Sequence, residues 1–135
     1  MSGSVFISVK NEDKAGMVPV AKKFEALGFK ILATGGTRDF LKANGVTNVE
    51  RVNKVSQGRP HIVDEMKNGA VALVVNTPSR KDPNEDEKSI RATAIALRIT
   101  LVTTVMAAEA VVNAIAMLRD KPMDVRTIQE YLAVK

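Results

Sequence analysis

The fold is decided by the stretch Phe29-Lys30-Ile31-Leu32-Ala33-Thr34-Gly35-Gly36-Thr37. Its first part, 29–33, is short and mostly apolar, as is typical of a buried strand, and Thr34-Gly35-Gly36-Thr37 predicts a sharp turn. The next segment, Arg38 to Asn44, predicts a short helix with Thr37 as its N-cap. A strand, a turn and a helix in this order form the repeating unit of a parallel α/β sheet.

The same unit recurs along the chain. Apolar runs predict four further strands, at 4–9, 49–52, 70–75 and 99–103. Connections of helical length separate them, which favours right-handed crossovers and helices on both faces. We therefore predict a single α/β domain, residues 1–135, in which helices flank a central five-stranded parallel sheet.

The helices between these strands are read from apolar spacing and capping signals. The first contains Met17 to Leu27, and its Pro19 predicts a kink or a start near Gly16. Pro60 predicts the first position of another helix, with His61 in its first turn. The remaining helices are predicted after Asp86 with Ile90, Ala94 and Leu97 facing inward, at 107–118, and at 124–132.

The composition excludes several classes of function. The 135 residues include no cysteine and one histidine, which excludes disulfides, thiolate catalysis and multi-histidine or cysteine metal sites. No apolar run approaches the ~18–20 residues of a membrane span, and we expect a cytoplasmic location. The net charge is +5, but aromatic residues make up only 4% and no basic block occurs, so a small anionic ligand is favoured over nucleic acid.

Polar side chains follow every predicted strand at its carboxyl end, where ligands bind in open parallel sheets. None of the residues that directly follow the strands is acidic, so the sequence predicts an edge that receives anions. These positions are Ser8 and Lys14, Thr34 to Thr37, Asn53-Lys54, Asn76-Thr77-Pro78-Ser79, and Thr103-Thr104.

The Thr34-Gly35-Gly36-Thr37 segment has the properties of a phosphate site. Two glycines allow close approach of the backbone, the following helix contributes the positive end of its dipole, and two hydroxyls add donors. Lys14 and Lys54 could neutralise the ligand. The alternative is a tight turn that binds nothing. The segment matches neither the Walker pattern nor the dinucleotide pattern of glycines.

A set of motifs, taken in order, resembles the C-terminal allosteric domain of the carbamoyl-phosphate synthase large chain. The resemblance covers about the whole chain, and we expect an excised part of a longer one. The motifs are Lys14, Thr34-Gly35-Gly36-Thr37, Asn53-Lys54-Val55, Gly58-Arg59-Pro60-His61-Ile62, Lys67-Asn68-Gly69 and Asn76-Thr77.

This resemblance implies a regulatory domain that binds a nucleoside monophosphate of the UMP or IMP type, without catalysis, metal or cofactor of its own. It places Thr34, Thr37, Lys14 and Lys54 at the phosphate, with Gly35 and Gly36 between the threonines. It further implies that the sugar or base is contacted by Ser8, Asn76, Thr77, Ser79, Asp86 and Ile90. It also implies an effector interface at Thr103 and Thr104.

The resemblance also implies a parent enzyme and partners. That enzyme makes carbamoyl phosphate from bicarbonate, glutamine-derived ammonia and two ATP, with Mg or Mn, for pyrimidine and arginine biosynthesis. Its other large-chain domains and the glutamine amidotransferase small chain are the implied partners. The chain departs from the family at Pro78, where a nucleotide-contacting threonine is usual, and at Leu101, where the ornithine site has tyrosine.

Two relatives of the same fold give alternative hypotheses. Methylglyoxal synthase is a lyase that acts on dihydroxyacetone phosphate with an aspartate in a Gly-Gly-Asp-Gln-Gln motif, and Arg59 aligns with that aspartate here. The inosinate cyclohydrolase domain shares the glycine turn but not the remaining motif. N-acetylglutamate is an alternative ligand for this fold, and a ligand-free interaction module is an alternative role.

Overall fold

The computed structural model describes residues 3–54, 57–58, 61–78 and 85–119. One parallel five-stranded sheet has the order β3-β2-β1-β4-β5. Its strands are β1 (Ser4–Ser8), β2 (Lys30–Ala33), β3 (Val49–Arg51), β4 (Val71–Asn76) and β5 (Thr100–Val102). The helices of the described residues are α1 (Asn11–Ala26), α2 (Gly35–Ala43), α3 (Ile62–Lys67), α4 (Glu85–Ala96) and α5 (Val105–Leu118). The predicted fold class is confirmed.

The direction of the chain across the sheet explains the three-layer arrangement. From β1 the chain moves outward to β2 and β3, and then returns past β1 to β4 and β5. Right-handed crossovers place the connecting helices α1 and α2 on one face and α3 and α4 on the other, and α5, which follows the last strand, covers the same face as α1. Accordingly α1 packs against α2 and α5, while α3 packs against α4.

The alternation of side chains along the strands divides the core between the two faces. In β1, Val5 and Ile7 belong to the cluster beneath α1, α2 and α5, whereas Phe6 belongs to the cluster beneath α3 and α4. Leu73 and Val74 of β4 divide in the same way. Strands buried on both faces have near-continuous apolar sequences, which is why they could be recognised.

The structure corrects the predicted starts of α1 and α3. The first helix starts at Asn11 with Lys10 as its N-cap, not near Gly16, and Pro19 lies inside it. The helix predicted to begin at Pro60 begins at Ile62, so His61 is its N-cap and not a first-turn residue. The Asp64 carboxylate accepts a hydrogen bond of 2.8 Å from the His61 backbone N–H and thereby caps this helix.

The inward face predicted for α4 is correct in part. Ile90 is 3% exposed and Ala94 is fully buried. Leu97 is 43% exposed, because the helix ends at Ala96 and Leu97 lies in the following turn. Pro60 and the helix at 124–132 lie outside the described residues. Among the residues that are described, no helix combines the length and apolar character that a bilayer crossing requires.

Phe24 supplies a test of the core beneath α1. It is fully buried, and its ring meets Phe29 edge-to-face at 5.8 Å. We expect Phe24→Ala to lower the free energy of unfolding by about 3–5 kcal/mol, because the site would lose apolar contacts and keep a cavity. Met106→Ala, at a side chain that is 82% exposed, should change it by less than about 0.5 kcal/mol. Urea denaturation measures both, and equal effects would contradict the assigned core.

Candidate functional site

The site lies where the order of the strands reverses. β2 and β4 both pair with β1, but α1 leaves β1 on one face and α4 follows β4 on the other. Such a reversal opens a crevice at the carboxyl ends of the strands. The Thr77 backbone N–H donates to the Ser8 carbonyl at 3.2 Å, and the Thr77 hydroxyl accepts from the Lys10 N–H at 2.9 Å. These bonds hold the two sides of the crevice together.

The Thr34–Thr37 segment is the N-terminus of α2. Thr34 is the N-cap, in an extended conformation, and its carbonyl accepts from the Arg38 N–H at 2.8 Å. The prediction of Thr37 as N-cap is therefore wrong, because Gly35, Gly36 and Thr37 already form the first helical turn. The first N–H groups of a helix have no partner within it, and here they lie at the crevice.

Both threonines of this segment are anchored to β1. The Thr34 and Ser8 hydroxyl oxygens lie 3.3 Å apart, and the Thr37 hydroxyl accepts from the Val9 N–H at 3.4 Å. Each threonine is 3% exposed. The N-terminus of α2 is thus fixed in position beside the carboxyl end of the central strand.

A cavity of about 230 Å³ opens at this point. It is lined by residues from β1, α1, α2, β4 and α4 and from the loops that follow β3 and β4. The lining residues are Ser8, Val9, Lys10, Asn11, Lys14, Thr34, Gly36, Thr37, Lys54, Asn76, Thr77, Glu87 and Ile90. Residues predicted from four separate strand ends therefore meet in one cavity.

Lys14 is positioned directly over the start of α2. Its Nζ donates to the Asn11 Oδ1 at 2.7 Å. A Cβ atom on Gly36 would lie 3.3 Å from the same Nζ, so the missing side chain lets the ammonium approach the helix end. A cation beside the positive end of a helix dipole is unfavourable without an anion. The arrangement is therefore suited to a ligand that carries negative charge.

Asn76 contributes a buried donor to the cavity. The residue is 2% exposed, and its Nδ2 has no hydrogen-bond partner among the described residues. Leaving a buried amide donor unpaired costs about 1–3 kcal/mol. A ligand oxygen in the cavity would remove this cost. The unpaired Asn76 Nδ2 therefore indicates ligand binding independently of the helix terminus.

Lys54 reaches the cavity from the loop that follows β3. Its backbone N–H donates to the Gln57 Oε1 at 2.8 Å, and the neighbouring Asn53 carbonyl accepts from the Ile62 N–H at 2.9 Å. These bonds connect the loop to the start of α3. Lys54 is itself exposed, so its ammonium can move toward a charged ligand.

Four of the lining residues were not predicted from the sequence: Val9, Lys10, Asn11 and Glu87. Glu87 is the acidic one among them. It is 9% exposed and brings a carboxylate from α4 into the cavity wall. Its spacing from Ile90 and Ala94, at i, i+3 and i+7, was the available signal. Carboxylates accept hydrogen bonds from hydroxyl and amine groups, so Glu87 adds an acceptor to a set of donors.

The remaining predicted site residues have other positions. Gly35 adjoins the cavity without lining it, and Thr103 is exposed. The Thr104 hydroxyl accepts from the Ala107 N–H at 3.0 Å and caps α5, which begins at Val105 and not at Ala107. Ser79, Arg59 and the side chain of Asp86 lie outside the described residues. In the part of the chain that is described, no group of three or more acidic or histidine side chains could hold a metal ion.

The fold and cavity define an MGS-like domain. The model of the MGS-like domain family matches residues 16–103, and the chain belongs to this family. It is similar in structure to methylglyoxal synthase from Elizabethkingia anophelis, with a TM-score of 0.67, 12% identity and coverage of 82% of this chain and 77% of that one. At such an identity the likeness concerns the fold alone.

Similarity in sequence points to one large protein. The chain is 45% identical to the carbamoyl phosphate synthase large chain of Nostoc sp. over 97% of its own length, and 45% identical to that of Mesorhizobium japonicum over 98%. The protein of the same name from Archaeoglobus fulgidus is 44% identical over 97% of the chain. The chain spans only 11–12% of the length of these relatives. The resemblance stated from the motifs is confirmed.

Thr77 tests how the crevice is held together. Thr77→Val removes the acceptor for the Lys10 N–H but keeps the volume of the side chain. We expect the free energy of unfolding to fall by about 1–2 kcal/mol, because a part-buried donor loses its partner. Thr77→Ser keeps the hydroxyl and should lose less than about 0.5 kcal/mol. Guanidinium denaturation compares the two, and an unchanged stability of the valine variant would show that this bond contributes nothing.

Proposed function

We propose that this chain is the regulatory domain of a glutamine-hydrolysing carbamoyl-phosphate synthase large chain, and that it binds a nucleoside monophosphate of the UMP or IMP type. The observation that carries the proposal is the buried Asn76 Nδ2, which has no hydrogen-bond partner among the described residues and lies in a cavity that also holds the N-terminus of α2. A donor buried in this way calls for an acceptor from a ligand.

The phosphate binds at the start of α2. Free N–H groups of the first turn donate to its oxygens, and the helix dipole favours its charge. The hydroxyls of Thr34 and Thr37 line the same space, and the ammonium of Lys14 stands over Gly36. The ammonium of Lys54, on the loop after β3, adds a further positive charge that attracts the phosphate.

The nucleoside binds toward β4 and α4. There Asn76 supplies a donor, Glu87 an acceptor and Ile90 an apolar surface. A carboxylate suits the hydroxyls of a ribose, and an amide suits a carbonyl of the base. The cavity of about 230 Å³ is below the roughly 300–1,000 Å³ usual for small-molecule pockets, which favours a mononucleotide over a dinucleotide.

The parent protein follows from the relatives. We take the chain to be the C-terminal domain, residues 1–135, of a cytoplasmic enzyme that makes carbamoyl phosphate from bicarbonate, glutamine-derived ammonia and ATP with Mg or Mn. The other large-chain domains and the glutamine amidotransferase small chain are its partners. A nucleotide that binds one state of that enzyme more tightly than another shifts the equilibrium between them.

Titration calorimetry of the 135-residue chain with UMP and with IMP tests the proposal. We expect one of them to bind with a dissociation constant below about 1 mM, and uridine or inosine to bind at least tenfold more weakly, because the phosphate contacts supply most of the affinity. If the folded chain binds neither nucleotide at millimolar concentration, the proposal fails and a ligand-free interaction module is favoured.

A matched pair of glycine variants locates the phosphate within that experiment. Gly36→Ala places a methyl group 3.3 Å from the Lys14 Nζ, whereas Gly16→Ala makes only an ordinary contact of 3.5 Å with Val105. Both should keep or raise the stability of their helices. We expect only Gly36→Ala to weaken UMP binding, by about three- to tenfold, as the ammonium is displaced.

A phosphate lyase of the methylglyoxal synthase type is the second candidate. The Glu87 carboxylate in the cavity favours it, because proton abstraction next to a carbonyl needs a positioned base. Against it, Arg59 occupies the place in the sequence where the lyase motif has its catalytic aspartate. The regulatory role is therefore better supported.

Incubation with dihydroxyacetone phosphate separates the two functions. We expect methylglyoxal to form no faster than in the uncatalysed reaction, because Arg59 stands where the lyase motif has its catalytic aspartate. Colorimetric detection of methylglyoxal measures the rate. Production that Glu87→Gln abolishes would assign catalysis to Glu87 and overturn the regulatory proposal.

A further inference from the structure

Arg51 lies beside the start of α2 and is not among the residues that line the cavity. Its backbone pairs with Ala33, the residue before Thr34, so it stands at the carboxyl end of the edge strand β3. A Cβ atom on Gly35 would lie 3.3 Å from the Arg51 Nε and 3.8 Å from its Cζ and Nη2. The guanidinium therefore rests against the first residue of the helix.

No charge among the described residues explains this position. Arg51 makes no ion pair or side-chain hydrogen bond there, and the neighbouring Glu50 carboxylate is bound to Lys30 at 2.9 Å. Arg51 and Lys14 approach consecutive residues, Gly35 and Gly36, whose side-chain directions differ by about 100° around a helix. Two cations thus lie beside the positive end of one dipole, where each is unfavourable in the absence of an anion.

The glycine at position 35 is consistent with a binding role for this arginine. A side chain at that position would separate the guanidinium from the N–H groups of the first turn, because the missing Cβ is the group that Arg51 approaches. Gly36 has the same relation to Lys14. Each glycine of the pair therefore admits one cation to the helix terminus.

We propose that Arg51 is a further anion-binding residue of this site, which acts on the phosphate from a different side of the helix terminus than Lys14. Arg51 is exposed, so its guanidinium can turn around Gly35 toward a bound phosphate and donate two parallel hydrogen bonds to it. The inference rests on the proposed function, since it takes the phosphate to bind at the start of α2.

The test compares Arg51→Gln with Lys42→Gln. Both remove one positive charge from α2 or its surroundings, but Lys42 lies in the last turn of that helix, at the opposite end. Calorimetry with UMP at low ionic strength, together with urea denaturation in the absence of phosphate, gives two readouts. We expect Arg51→Gln to weaken UMP binding by about three- to tenfold without loss of stability, and Lys42→Gln to change binding by less than about twofold.

Other outcomes distinguish the inference from the proposed function. If the wild-type chain binds UMP and Arg51→Gln binds it equally well, the inference is wrong and the proposed function stands. If UMP binding is weakened equally in both variants, the loss of affinity comes from net charge alone and the inference is wrong. If only Arg51→Gln loses stability, Arg51 has a structural role and the inference is likewise wrong. If the wild-type chain binds no UMP, the proposed function itself fails. Arg51→Lys should retain part of the affinity, because it keeps the charge but not the paired donors.

Discussion

The pairing of β1 with β4 is the interaction on which the site depends. The chain builds outward from β1 on one side and resumes on the other side at β4, so the two strands are neighbours although their connections leave on opposite faces. The carboxyl ends of the strands are joined by the Thr77–Ser8 backbone bond and by the Thr77 hydroxyl. The crevice exists because the sheet reverses its order there, and its polar lining is what the strand ends provide.

Charge at the start of α2 is the second constraint, and it follows from the first. The α2 helix begins directly after β2, which pairs with β1, and Thr34 and Thr37 contact Ser8 and Val9. Its dipole, Lys14 and Arg51 all contribute positive potential, whereas Glu87 is the acidic group among the described lining residues. The N–H groups at the start of α2 are held in position by the contacts of Thr34 and Thr37, so they need no rearrangement to receive an anion.

The sequence predicted the sheet well because its strands are buried on both faces and appear as apolar runs of Val, Ile and Leu. The start of α2 was misplaced because a pair of glycines is typical of a turn, and only the contacts of Thr34 and Thr37 with β1 show that the pair is helical. Glu87 was missed because its place in the cavity depends on how α4 sits over β4. Arg51 was missed because it comes one residue before the expected end of its strand. Residues at the ends of strands could be predicted from the sequence, because the apolar runs mark those ends. Residues whose place depends on how a helix packs against another element could not be predicted.

The architecture also explains how a bound nucleotide could act on a larger enzyme. Lys14 and Gly16 lie on α1, where Lys14 faces the cavity and Gly16 faces Val105, the first residue of α5. A phosphate that draws Lys14 toward α2 therefore acts on a helix whose next residues contact the start of α5. The exposed Thr103 and the helix-capping Thr104 directly precede that point, and they are the residues assigned by resemblance to the interface with a neighbouring domain. Because α1 packs against α5, a shift of α1 would also change its contacts with α5. Under the proposed regulatory function, α1 is the element that would couple ligand binding to this surface.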